Sequence, residues 1–202
     1  MRTPWVHLAR TLLFAVTLHT GTGAEQAPAR WASDKTILVW VDQASAPAGA
    51  AALIERALAT WTSAIGAGVT LRRTNAAADA AVRVRFAGSR GLYGETRPQV
   101  DARSGAIVSA DVVIASDTGG DDPLNQRIVI YLTALHELGH ALGLRHTDNF
   151  ADIMYSFRRP DDGERYFNAY RQRLRSPDDL GSKTASGLSP NDLAAVRELY
   201  GR

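Results

Sequence analysis

The 202-residue sequence contains no cysteine. That absence excludes a disulfide scaffold, a cysteine-ligated zinc module, a thiol nucleophile and a lipid-anchored lipoprotein. Excess charge is also slight. Lys and Arg total 23 against 21 Asp and Glu, a formal +2 that is too small to imply a nucleic-acid partner, although the sequence pI near 9.1 leans basic. There is no internal repeat, and no low-complexity tract beyond enrichment in alanine. With 45% apolar and 22% charged residues, the composition is that of one ordinary domain. A chain of this length can bury roughly 70% of its unfolded surface without covalent staples. Histidine is scarce too, yet three of the five fall within eleven residues.

Residues 1–24 have the order of a secretory signal. Arg2 and Arg10 form a basic start, Leu12 to Leu18 a short apolar run, and Gly21 to Ala24 a small-residue cleavage site. The apolar run is shorter than the roughly 20 residues a bilayer span needs, and no second long one exists. The mature chain is therefore expected to be secreted, extracellular or periplasmic, with no membrane anchor. A short N-terminal segment, 25–35, should precede one domain over 36–202. Loss of Arg2 and Arg10 leaves 21 basic against 21 acidic residues, so the mature charge is zero.

Ile37 to Val41 is a β-branched apolar run suited to a buried strand. From Pro47 to Ile65 a helix would align Leu53, Ile54, Ala57, Leu58, Trp61 and Ile65, with Gly66 and Gly68 ending it. Val69 to Leu71 reads as a second strand. Val82, Val84 and Phe86 alternate with Arg83 and Arg85 as a half-solvated strand requires. Residues 88–105, with four glycines and a proline, read as loop with at most one short strand. Ile107 to Ala115 is a fourth strand. A long helix should start at Pro123 with Asp122 as its cap and run to about Leu142. A last helix over 190–200 has Ser189 as cap, Asp192 three residues on, and Leu193, Val196, Leu199 and Tyr200 on one face. This order predicts an α+β fold around one mixed, twisted sheet.

The chemistry sits in His136-Glu137-Leu138-Gly139-His140-Ala141-Leu142-Gly143-Leu144-Arg145-His146. Histidines four apart on a helix stand about 40° apart, one turn over the next, and can grip one ion. Glu137 adjoins the first ligand and is expected to face the ion's open side, where a water would bind. A third ligand on the next turn would spoil tetrahedral angles, so the chain must leave the helix. Gly143 permits that, because glycine accepts the left-handed backbone that commonly ends helices. His146 then closes the set, and three imidazoles with one exchangeable water make a catalytic rather than a structural zinc site. Five fixed residues in this pattern would arise by chance in fewer than about one chain in ten thousand.

These eleven residues resemble the long zinc-binding motif of metzincin metallopeptidases, and the chain looks like a matrixin of bacterial type. Met154, eight residues after His146, matches the family's Met-turn, the apolar floor beneath the zinc. Tyr155 directly after it, and Leu188 to Gly201, are matrixin-like as well. The resemblance covers about residues 35–202. It implies a metzincin-type catalytic domain with two long helices, a Met-turn and a C-terminal helix. It also implies a zinc-dependent endopeptidase with one catalytic Zn(2+) on His136, His140 and His146, Glu137 as general base, and protein or peptide substrates. By the same analogy the strand at 107–115 would pair with an extended substrate. The chain is expected to be a monomer.

The departures are as informative. No histidine remains for the structural zinc of animal matrixins, and their calcium loops are not recognisable. Asp117, Asp121 and Asp122 could bind calcium, but a helix cap and solvated carboxylates are the preferred reading. Ser156 and Arg158 replace the proline and tyrosine of the family's pocket wall. Residues 157–187 form an extra segment in which Tyr166, Phe167, Tyr170 and Leu174 recur at helical spacing. From Phe157 to Arg175 there are six arginines against three acidic residues. The favoured reading is a surface helix with its aromatic side packed down; the other is a basic pocket wall that selects acidic substrates. Two further readings of the whole chain are a zinc-binding peptide-recognition module or pseudoenzyme of the same fold, and an unexported small-molecule hydrolase.

Overall fold

The computed structural model describes residues 28–88, 92–118 and 121–201. The signal-like segment 1–24 lies outside the described residues. The elements run β1 (Lys35–Val41), α1 (Ala50–Ile65), β2 (Val69–Thr74), β3 (Val82–Ala87), β4 (Gly94–Val100), β5 (Ile107–Ala115), α2 (Pro123–Ala141), α3 (Asp162–Arg171) and α4 (Pro190–Tyr200). The strands form one sheet in the order β2-β1-β3-β5-β4. The first four are parallel, and β4 runs antiparallel to β5. This mixed sheet with helices is the α+β architecture the residue pattern implied.

Alternation explains how the layers meet. Ile37, Val39 and Val41, then Val82, Val84 and Phe86, then Ala110, Val112 and Ile114 are all buried. The intervening Arg83, Arg85 and Asp111 stay at least partly in solvent. On α1 the expected face is buried, and Trp61 is fully enclosed. Its indole N–H donates to the Leu135 carbonyl at 2.8 Å, fastening α1 to α2. Truncating such a ring would cost about 3–5 kcal/mol. α1 begins at Ala50 rather than Pro47, because Gly49 sits at φ 77° and interrupts the helical backbone.

Two expectations need correction. The region expected to be mostly loop contains the seven-residue strand β4. Its sequence, Gly-Glu-Thr-Arg-Pro-Gln-Val, lacks apolar alternation because most of it faces solvent at the sheet edge. β5 is not available to a substrate, since β3 and β4 take up both of its sides. β4 is the edge strand, so any extended peptide joining this end of the sheet must pair there.

The N-terminal segment is part of the packed structure. Trp31 is 1% exposed and its indole donates to the Ala141 carbonyl at 2.8 Å. The Tyr200 hydroxyl accepts from the Trp31 amide and donates to the Leu142 carbonyl at 2.6 Å. The first described residues thus tie the C-terminal ends of α2 and α4 together.

Candidate metal centre

α2 is the spine of the site. Asp122 caps it by accepting from the Leu124 and Asn125 amides, Pro123 takes the first position, and every residue from Ile128 to Ala141 is buried. Polar side chains in so enclosed a helix need specific partners, and His136, Glu137 and His140 each have one.

The helix ends in a Schellman turn. Gly143, at φ 97°, donates to the His140 carbonyl at 2.9 Å, and Leu144 donates to the Gly139 carbonyl at 3.0 Å. A Cβ on Gly143 would also collide with the Ala29 carbonyl oxygen. The turn reverses the chain, brings His146 back, and places the Leu144 carbonyl 2.9 Å from His140 Nδ1.

The turn that carries Met154 supplies the matching contact for the other helical histidine. His136 Nδ1 lies 2.6 Å from the Ile153 carbonyl. A carbonyl oxygen only accepts, so both Nδ1 atoms carry the proton and both neutral rings present a bare Nε2. Those atoms converge on His146, whose Nε2 lies 3.2 Å from that of His136 and 3.0 Å from that of His140. Nitrogens bound tetrahedrally to one zinc ion at 2.0–2.1 Å stand about 3.3 Å apart. A single shared proton could satisfy only one of these two approaches, whereas one cation satisfies all three nitrogens. The donor set therefore fits a metal ion. Burial pushes His136 well below the usual histidine range, His140 down to about 4, and His146 down as well, so all three favour the neutral, ligating form.

Met154 lies buried beneath the helix, its sulfur against Gly139. The turn that carries it is clamped by α4. Asp192 accepts from the Ile153 and Ser189 amides, both at 2.8 Å, while Ser189 Oγ donates to Asp152 Oδ1 at 2.7 Å. Ser189 and Asp192 form the expected capping box. The box has a second role the sequence did not reveal: it holds the backbone that orients His136.

Glu137 does not stand in the open. It is 1% exposed and pressed against β4. Thr96 Oγ1 lies 2.6 Å from Glu137 Oε2 and 2.9 Å from the Glu137 carbonyl. Oε1 is buried and has no hydrogen-bond partner among the described residues. A Cβ on Gly94 would come within 2.7 Å of Glu137 Cγ and Oε1, so only glycine lets the edge strand lie this close. Burial pushes the Glu137 carboxyl up to about 8 and neighbouring Glu95 adds to the rise, while the Thr96 hydrogen bond opposes it.

A small pocket opens beside His136, lined by Leu132, Thr133, Ile153, Phe157, Tyr166 and Phe167. α3 gives it the last two side chains. Asp162 anchors the start of α3 by accepting from the Tyr155 hydroxyl and the Arg158 and Arg159 amides. Tyr93, just before β4, packs edge-on against Phe167 with ring centroids 4.8 Å apart. The aromatic side of α3 is thus packed down, as favoured. The acidic-substrate reading loses part of its basis, since three of the six arginines are paired. The pocket lining is mainly apolar, Arg165 lies 3.5 Å from Asp162, and Arg158 and Arg171 pair with Asp148 and Asp122. Asp122 is thereby committed to a helix cap and an ion pair.

Thr96 and Gly94 were missed by sequence reasoning, with no local signal pointing to them, and Asp152 was read only as the start of the Met154 turn. No curated protein matches the chain. A family profile described as Matrixin matches residues 31–169, more than half of the sequence.

Proposed function

The chain belongs to the matrixin family of zinc metallopeptidases, and we propose that it is an exported endopeptidase with Glu137 as its general base. The observation that supports this reading most is the convergence of three neutral imidazoles, with Glu137 next to the first of them on the same helix. His136, His140 and His146 would hold a single zinc. When bound, the ion would supply an activated water and a polarised scissile carbonyl, and its charge would favour the ionised form of Glu137.

The remaining steps belong to the chain's own residues. β4 lies at the edge of the sheet with no strand beyond it among the described residues, so an extended peptide can lie against it as an added strand. Such a strand has no free end at the site, which suits cleavage within a chain rather than at a terminus. The pocket beside His136 takes an apolar side chain of the substrate, with Phe157 and Phe167 excluding water from it. Glu137 accepts the proton of the attacking water and passes it to the departing amine. Export rests on the basic, apolar and small-residue order of 1–24.

The test is cleavage of internally quenched peptides by the mature chain, with a chelator and then with restored zinc. The proposal expects internal cleavage that chelation abolishes and zinc restores. Peptide binding without turnover would instead identify a recognition module.

A further inference from the structure

Glu137 has two carboxylate oxygens in unlike surroundings. Oε2 lies 2.6 Å from Thr96 Oγ1, and Oε1, although buried, has no hydrogen-bond partner among the described residues. Thr96 is itself 7% exposed and sits on the inward face of β4, opposite Val112 of β5. Its hydroxyl has one proton and two acceptors within reach, Glu137 Oε2 and the Glu137 main-chain oxygen at 2.9 Å. Both acceptors belong to Glu137 on α2, so the hydroxyl, given to Oε2 or shared between the two, links the carboxylate to β4.

We propose that Thr96 is a positioning residue: by occupying Oε2 it fixes the Glu137 carboxylate and leaves Oε1 as the oxygen that accepts the proton of the attacking water. This rests on the peptidase reading above. Gly94 and Thr96 are alternate residues of one strand, and both touch Glu137. The strand against which a peptide would pair is therefore the same strand that aims the base. Seating of substrate on β4 and orientation of the carboxylate become one mechanical event. A buried carboxylate with both oxygens unpartnered would be free to turn about its last torsion, and a base that turns is aimed correctly only part of the time. Partners of this outer kind commonly contribute about 10- to 100-fold to activity when they are removed.

The test uses the zinc-loaded mature chain with Thr96→Val, which keeps shape and strand propensity but lacks the hydroxyl, and Thr96→Ser, which keeps it. The first readout is structural and independent of activity: the Glu137 rotamer in crystals of the wild type and the two variants. The expected result is a carboxylate held by residue 96 in wild type and Ser and rotated in Val. The second is kinetic. Thr96→Val should lower kcat by about tenfold or more with KM and zinc content unchanged, and Thr96→Ser should recover most of the loss. The same rotamer in all three proteins, a loss confined to KM, or a Ser variant as impaired as Val would overturn the assignment. If the wild type cleaves nothing while the rotamer still shifts, the peptidase reading fails and the positioning by Thr96 stands.

Discussion

The sulfur of Met154 fills the space that a side chain on Gly139 would need, and the Trp61 ring also lies within 3.2 Å of that position. The glycine between the two helical histidines is therefore where the Met-turn docks against α2. Gly139→Ala should push Met154 away and shift the Ile153 carbonyl that orients His136. Overpacking of this kind costs about 1–3 kcal/mol. Thermal unfolding should show that loss, and zinc competition should show weaker binding. An unchanged zinc affinity would mean that the floor does not position the ligand.

Asp192 should matter to the metal centre although it touches no histidine. Its carboxylate accepts from the Ile153 amide, and burial lifts it above the usual carboxylate range. Asp192→Ala leaves buried amides without an acceptor, at a cost of about 1–3 kcal/mol for each group. The variant should be less stable and bind zinc more weakly, by about 10-fold or more. Isothermal titration against a competing chelator reads this directly.

Phe167→Leu should change what is cleaved and leave metal content alone. Phe167 is 4% exposed, lines the pocket beside His136 and supports Tyr93. The smaller side chain deepens the pocket, so cleavage-site profiling on a peptide library should show bulkier apolar residues accepted. An identical profile would place the pocket outside the substrate path.

The metal-free chain should be most stable in a window near pH 6.5. Burial lowers His140 to about 4, and lowers His136 and His146. Their contribution is complete above the unfolded value near 6.5 and is lost as pH falls through the lower folded values. Glu137 has the opposite sign. Its folded value of about 8 lies above the unfolded one near 4.5, so its contribution is complete below 4.5 and is lost as pH rises toward 8. Melting temperatures of the stripped chain across pH 4–9 should therefore pass through a maximum. A monotonic trend would contradict the burial of one of these groups.

Much of this was legible because the signals are local. The two histidines, Gly143 and His146 lie in one short stretch, and Asp122-Pro123 and Ser189-Pro190 mark where α2 and α4 begin. Trp61 was placed correctly by helical periodicity. What escaped has distant partners. Thr96 meets Glu137 across 41 positions, and Trp31 meets Ala141 across 110. β4 was underestimated, as at most one short strand within a loop, because an edge strand with a solvated face carries no apolar alternation. That same error assigned the substrate edge to β5. The doubled role of Asp192 was hidden because one carboxylate serves both the cap and the Met-turn.

The central claim is that Glu137 is the base and the three histidines the metal ligands, and these roles separate in one comparison. Zinc per chain and cleavage of a quenched peptide should be measured for wild type, Glu137→Ala and His140→Ala, with folding checked by circular dichroism. The account predicts one zinc and internal cleavage for wild type, one zinc and no cleavage for Glu137→Ala, and neither for His140→Ala. A Glu137→Ala chain that cleaves at the wild-type rate would contradict it.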